Sequence, residues 1–165
     1  MSSFQIRPYE PNDHNSVLNL HRVALKDAGA YYESGAWDSD LLDIENAYFR
    51  NGGTFLVGIF GGQIVAMGAL RRVSQYRGEI KRMRVMPELQ RRGFGKAILT
   101  ALEEEARKKG YQVLVLDTTI VQVAAQQLYL KNGYAEVSRM KKGFPLETIF
   151  YEKQLFSECD DDFRG

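Results

Sequence analysis

The sequence predicts an α/β (α+β) domain: a mixed, mostly antiparallel central sheet of about six to seven strands, about four helices and one parallel strand–helix–strand crossover. Two observations carry this. Thr54 to Phe60 and Gln63 to Val73 are β-rich runs joined by Gly61-Gly62 alone, a two-residue link that favours a hairpin. Further on, Arg77 to Met86 reads as a strand stopped by Pro87. A helix from Gly93 to Lys109 follows, then the apolar run Val113-Leu114-Val115-Leu116, which reads as a strand buried on both faces. Strand, helix and buried strand in succession imply a right-handed parallel crossover.

The remaining elements follow in order. Phe4 and Ile6 alternate with polar neighbours, and Arg7-Pro8 suits an edge strand. Pro11-Asn12-Asp13 starts a helix with Val17, Leu20, Ala24 and Ala28 at helical spacing and Gly29 as its stop. His14 and His21 lie on it as surface or boundary residues with no assigned role. Asp38-Ser39-Asp40 is expected to cap a second helix carrying Leu41, Leu42, Ile44, Ala47 and Tyr48, which ends at Asn51-Gly52-Gly53. In Arg77 to Met86 the alternation breaks, Ile80 being even while Met83 and Val85 are odd. One extra residue near Lys81-Arg82 restores it, which predicts a β-bulge there. The 93–109 helix is expected to pair Glu103 with Arg107 and Glu104 with Lys108 on its outer face, before Gly110 closes it. A short helix from Ile120 to Lys131 stops at Asn132-Gly133, and two β-rich runs, Ala135 to Met140 and Thr148 to Leu155, complete the sheet. Ser157 to Gly165 has too little apolar surface to order itself, so the expected organisation is one domain over 1–156 and a loose tail over 157–165.

At 165 residues, with 44% hydrophobic and 26% charged content, the chain can bury a full core. A net charge of +1 gives no general reason to expect nucleic acid, yet the charge is segregated. Residues 71–96 hold nine basic side chains against Glu79 and Glu88, whereas 27–49 hold six acidic ones and no Lys or Arg. Such opposite fields suit an anionic ligand and a cationic one, or are two solvated faces. A single cysteine, Cys159, excludes an intrachain disulfide, and no Cys/His spacing suggests a metal. The first residues lack an apolar signal core and no run has membrane-spanning length, so a cytoplasmic protein is expected.

The informative stretch is Ile80 to Thr100. Phe94, Ile98, Ala101, Leu102 and Ala106 form one helix face, so Gln90-Arg91-Arg92-Gly93-Phe94-Gly95 sits at the helix start. There the first N–H groups lack internal partners and the dipole favours negative charge. Glycines let a phosphate approach, and Arg91, Arg92 and Lys96 add charge. A P-loop is excluded, because Gly95-Lys96 is followed by Ala97 and position 90 is Gln. A dinucleotide fingerprint fits badly, with Ile98 where a small residue belongs.

The run V-M-P-E-L-Q-R-R-G-F-G-K-A, residues 85–97, resembles the acetyl-CoA-binding segment of the GCN5-related N-acetyltransferases, the GNAT superfamily. A second stretch, Gln122 to Tyr134, resembles that family's N-x-x-A-x-x-L-Y-x-x-x-G-[FY] helix, with Gln122 where Asn is usual. The resemblance implies a GNAT-type fold whose fourth strand bulges away from the fifth to open a cofactor cleft. It implies acetyl-CoA as cosubstrate, with its pyrophosphate on Gln90, Arg91, Arg92, Gly93, Phe94, Gly95 and Lys96, its pantetheine along Met83, Arg84 and Val85, and further contacts from Gln122 and Tyr129.

Acetyl transfer to an amine needs a base for the amine's proton, donors for the developing oxyanion and an acid for the leaving sulfur. By its place in the resemblance Tyr129 is the acid. Glu79 matches a position that sometimes serves as base through a water; otherwise it is an exposed side chain paired with Arg77 or Lys81. An unpaired N–H of the splayed strand around Met83 to Val85 is the expected oxyanion donor. Asp117-Thr118-Thr119 is read as a cap for the helix from Ile120, in preference to a ligand site. Tyr31, Tyr32 and Trp37 are the expected acceptor-binding residues, or simply pack. The activity implied is direct transfer of acetyl to a primary amine of a small molecule in a ternary complex, with neither metal nor covalent intermediate. The alternatives are a protein or peptide acceptor, or an acyl-CoA sensor without turnover. A homodimer is compatible with the fold; nucleic acid and membrane are not expected partners.

Overall fold

The computed structural model describes residues 3–31, 36–141 and 146–156, and for Ala36 and Trp37 the backbone only. Its strands are β1 (Gln5–Pro8), β2 (Thr54–Phe60), β3 (Gln63–Arg72), β4 (Arg77–Val85), β5 (Val113–Thr119), β6 (Ala135–Met140) and β7 (Thr148–Gln154). They form one seven-stranded sheet in the order β1-β2-β3-β4-β5-β7-β6. Every neighbouring pair is antiparallel except β4 and β5. The helices are α1 (His14–Asp27), α2 (Ile44–Ala47), α3 (Phe94–Lys108) and α4 (Val123–Lys131). The predicted fold class, the hairpin and the parallel crossover through α3 are all present. Gly61 and Gly62 turn the hairpin with φ of 60° and 76°, values that favour glycine.

Two apolar layers hold the sheet. On one face Ile98, Leu99, Leu102 and Ala106 of α3 bury against Leu70, Ile80, Leu114 and Leu116. Gly68 lets α3 come this close, since a Cβ there would stand 2.7 Å from Ile98 and 2.8 Å from Leu102. On the other face Val17 and Leu20 of α1, with Leu41, Ile44 and Tyr48, cover Phe55, Val57, Met67 and Ala69. Helix α1 packs chiefly on β3 and β4. That placement corrects the reading of β5 as buried on both faces: Leu114 and Leu116 are buried against α3, whereas Val113 and Val115 are half-buried and Asp117 is exposed.

Other expectations are corrected too. The second helix breaks into a 3-10 turn (Ala36–Leu42), the single turn α2 and a further 3-10 turn (Phe49–Asn51). Its cap is Asp43, which accepts from the Asn46 amide at 3.2 Å. Asp38 and Asp40 are drawn instead to Arg82. Glu103 is no outer-face partner of Arg107; it is buried, and Lys153 on β7 donates to its carboxylate at 2.6 Å. Lys108 lies 3.5 Å from Glu105, not paired with Glu104. Helix α4 starts three residues later than expected, at Val123 rather than Ile120, and Asp117 is a strand residue rather than a cap. The tail over 157–165 lies outside the described residues.

The bulge stands where predicted. Ala69 pairs with Lys81 and Met67 with Arg84, so Gly68 alone opposes Arg82 and Met83. Arg82 has φ of 58°, a left-handed value unusual for a residue with a side chain. Its guanidinium, 9% exposed, bridges the sheet to the 36–42 turn: Nε donates to Asp40 Oδ2 at 3.0 Å and Nη1 to Asp38 Oδ1 at 3.0 Å. Tyr48 Oη also donates to Asp40.

Replacing Arg82 by Met leaves two half-buried carboxylates without their guanidinium, and should lower the unfolding free energy by about 1.5–3 kcal/mol in urea titrations. Arg139→Met, which breaks an exposed pair with Glu136 on β6, should leave the midpoint unmoved.

Candidate active site

Strands β4 and β5 pair only from Arg77 with Val113 to Glu79 with Val115. Beyond that point β4 follows β3 and β5 follows β7, so the two diverge into a wedge. The Met86 amide donates to Val65 across the sheet at 2.7 Å. By strand alternation Arg84 turns its main chain to Met67, and the Val85 amide and Met83 carbonyl turn into the wedge. Arg84 Nη1 caps that carbonyl at 2.8 Å. Because the bulge places Lys81 and Arg82 together, the faces exchange. Met83 and Val85 pack toward α3, and Arg82 and Arg84 point toward α1.

At the mouth of the wedge, Pro87–Leu89 forms a 3-10 turn, after which Arg91 (φ 66°) and Gly93 (φ 83°) are left-handed. Such alternation of hand gathers successive amides into a concavity that suits anions. The first intrahelical bond of α3 runs from Ala97 N to Gly93 O at 3.0 Å. Among the described residues, the amides from Arg91 to Lys96 have no hydrogen-bond acceptor. A Cβ on Gly95 would come no closer than 3.4 Å to the protein, at Leu128, so nothing in the fold demands glycine there. A row of unpaired amides with Arg91, Arg92 and Lys96 beside it fits a diphosphate.

Charged groups crowd the α1 side of the wedge. Glu79 is paired with Arg71 on β3, not with Arg77, which takes Glu152 at 3.0 Å, nor with Lys81. Burial pushes the Lys81 ammonium below its usual pKa, against the pull of Glu79. Asp117 is exposed to solvent, yet the protein around it partly desolvates its carboxylate. That desolvation, with Glu79 close by, raises its pKa in spite of Lys81, Arg82 and Arg71. Arg82 behaves oppositely: burial lowers it, but the hydrogen bonds and charge of Asp40 outweigh burial and hold it above the usual arginine value. Arg84 Nε lies 3.4 Å from His21 Nδ1, and His21 Nε2 lies 3.2 Å from Asp38 Oδ1. Burial lowers the His21 pKa, helped by the Arg84 and Arg82 charges, so the ring is neutral.

Tyr129 closes the wedge from α4. Its ring is buried against Tyr134 and Tyr151, at centroid distances of 5.9 and 6.0 Å. Its hydroxyl has no hydrogen-bond partner among the described residues yet is not sealed from solvent. Burial raises its pKa above the ordinary 10.0, Arg84 opposes this, and the group stays protonated. Gln122 stands just before α4 and its side chain bonds backward, not to the helix: its Oε1 accepts from Thr119 Oγ1 at 2.8 Å and Thr119 N at 3.2 Å, which leaves its amide NH2 for other partners.

The structure thus brings Tyr129, Glu79, Met83, Arg84 and Val85 to one wedge, with Gln90 to Lys96 at its mouth. Tyr31 stays apart, half-buried under the Lys26 ammonium at 4.9 Å. Tyr32 and the side chain of Trp37 lie outside the described residues. Sequence reasoning missed His21, Asp38, Asp40 and Arg82, and took Asp117 for a cap. The one sequence signal for them was the segregation of acids in 27–49 from bases in 71–96.

Known proteins resemble this chain in sequence and in fold. An N-acetylaspartate synthetase of Danio rerio is 31% identical over 130 residues, 73% of this chain and 46% of that protein. The chain spans about half the length of the curated relatives it matches. An acetyltransferase of the GNAT family from Staphylococcus aureus Mu50 superposes with a TM-score of 0.85 at 22% identity, over 93% of this chain and 100% of that one. Salmonella typhimurium yncA, solved with its cofactor acetyl-CoA, superposes with a TM-score of 0.77 at 22% identity, over 94% and 95% of the two chains. At such identities the structures establish the fold. Residues 17–134 match the acetyltransferase (GNAT) family, and this chain belongs to it.

Proposed function

We propose that this chain transfers the acetyl group of acetyl-CoA to a primary amine of a small molecule, directly, in a ternary complex. The observation that carries the reading is the wedge, which sets an unpaired strand amide, Val85 N–H, between a concave row of amides and a protonated tyrosine. In support, yncA of the same fold was solved with acetyl-CoA, and one relative is named for a small acetylated amino acid.

When bound, acetyl-CoA supplies an acetyl activated as a thioester, so that a C–N bond forms as the C–S bond breaks. The amides of Arg91 to Lys96 hold its diphosphate, and Arg91, Arg92 and Lys96 offset the charge. Main-chain groups of Met83 and Val85 align the arm that follows, and Val85 N–H faces the acetyl oxygen, where negative charge grows. The attacking amine must shed a proton, since amines are largely protonated at neutral pH. The Glu79 and Asp117 pair receives it. Asp117 is the better acceptor of the two, because Arg71 occupies Glu79 and desolvation makes Asp117 more basic. Tyr129 donates its O–H to the departing sulfur. Gln122 offers its free amide NH2 to the ligand from the start of α4.

Three outcomes test this. Tyr129→Phe should lower kcat roughly a hundredfold, read as thiol release, without loss of stability, because the hydroxyl bonds nothing in the fold. Gly95→Ala should leave the fold as stable or up to about 1 kcal/mol more stable by helix propensity, yet weaken acetyl-CoA binding in calorimetry by roughly tenfold or more. For Asp117 the sign is set by its raised pKa: the active form is the carboxylate, so kcat/KM should fall as pH drops through a value above 3.8, and Asp117→Asn should flatten that limb.

A further inference from the structure

We infer that Arg84 is the seat for a carboxylate on the acceptor, so that the amines this chain acetylates carry an acid group, as amino acids do. The inference rests on the acetyl-transfer reading above and narrows its substrate class.

Its starting point is an imbalance among the guanidinium groups. Arg7 holds Asp13 at 2.7 Å, Arg77 holds Glu152 at 3.0 Å, Arg71 holds Glu79, and Arg82 holds Asp38 and Asp40. Arg84, half-buried, has no carboxylate within ion-pair distance among the described residues. Both of its contacts are neutral: the Met83 carbonyl at 2.8 Å and His21 Nδ1 at 3.4 Å. Burial, and then the Arg82 charge, lower its pKa to about 10, so the cation is retained at neutral pH but poorly compensated. Buried charges are ordinarily paired, and one left unpaired at the edge of an open wedge lacks its partner.

The surroundings position the guanidinium without neutralising it. His21 is buried, and its Nδ1 lone pair receives Arg84 Nε–H, so the neutral ring carries its proton on Nε2, which lies 3.2 Å from Asp38 Oδ1 outside hydrogen-bond geometry. Asp38 is itself already taken by Arg82. Of the five donors on a guanidinium, two are used here, and Nη2 keeps both of its own, so an incoming carboxylate can be met by a charged fork.

Location separates this seat from the cofactor. Arg84 projects to the α1 side of the sheet, while Met83 and Val85, on either side of it, pack toward α3, whose first amides form the diphosphate cradle. Asp117, across the wedge and close enough to act on the Arg84 charge, supplies the opposite pole for an ammonium. A cation and a carboxylate facing one gap complement a zwitterion.

The test uses the full chain, with amino acids each matched to its amide and its decarboxylated amine. Thiol release from acetyl-CoA gives kcat/KM, and calorimetry in the presence of coenzyme A gives binding without turnover. The wild type should favour the acids over their neutral partners by roughly tenfold to a hundredfold. In Arg84→Gln that ratio should collapse toward one, and Arg84→Lys should restore part of it. The ratio, not the absolute rate, is read, so a partly unfolded variant cannot mimic the result. Acids no better than amides in the wild type, or a preference that survives Arg84→Gln, overturn the seat. If acids bind in an Arg84-dependent way but no amine releases thiol, the seat stands and acetyl transfer falls. If amides are acetylated as well as acids, transfer stands and the seat falls.

Discussion

The Arg82 guanidinium, clamped between Asp38 and Asp40, is the constraint on which the site depends. A residue with a side chain in the left-handed region costs about 1–2 kcal/mol, and partly desolvating three charges adds a cost that only good geometry offsets. Both costs are met at a single point because Arg82 reaches two carboxylates at once, and Tyr48 satisfies Asp40 further. The cluster also ties β4 to the 36–42 turn, which carries Leu41 into the apolar layer under α1. The bulge is therefore held from outside the sheet as well as by its own ladder.

One extra residue in β4 has two consequences. It ends pairing with β5 soon after Glu79, so polar main-chain groups that a flat sheet would consume remain available. It also exchanges the faces of the strand. With unbroken alternation, Met83 and Val85 would share the α1 face with Lys81 and Glu79, and Arg82 and Arg84 would be driven into the Ile98 and Leu102 layer. The same insertion thus keeps the α3 core apolar and puts two guanidinium groups on the α1 side.

Much of this was legible in the sequence, because its causes are local. The hairpin followed from Gly61-Gly62, the bulge from the parity of Ile80 against Met83 and Val85, and the helix start with its unpaired amides from Gln90 to Gly95. What stayed hidden depends on pairs far apart in the chain: Asp38 and Asp40 meet Arg82 across 44 and 42 residues, His21 meets Arg84 across 63, and Glu103 meets Lys153 across 50. An acidic residue before an apolar run reads as a cap, and a glutamate four residues before an arginine reads as a surface pair. Tertiary partners overrode both readings. Asp117 was misread for a related reason: its character comes from desolvation and from charges distant in the chain, Glu79 and Lys81 among them, which periodicity does not report.

The state of Tyr129 also limits how it can act. Burial holds its hydroxyl above 10.0, whereas an ordinary thiol titrates near 8.5. In the proposed transfer, therefore, the proton would stay on the phenol, and the sulfur would depart as a thiolate stabilised by a hydrogen bond from Tyr129. Arg84 pulls the same phenol down, and any anion that covers Arg84 weakens that pull. An acid-bearing acceptor would therefore leave Tyr129 more firmly protonated at the moment of transfer, when a donor facing the sulfur is needed. Seating the acceptor and protecting the leaving group then become effects of one charge.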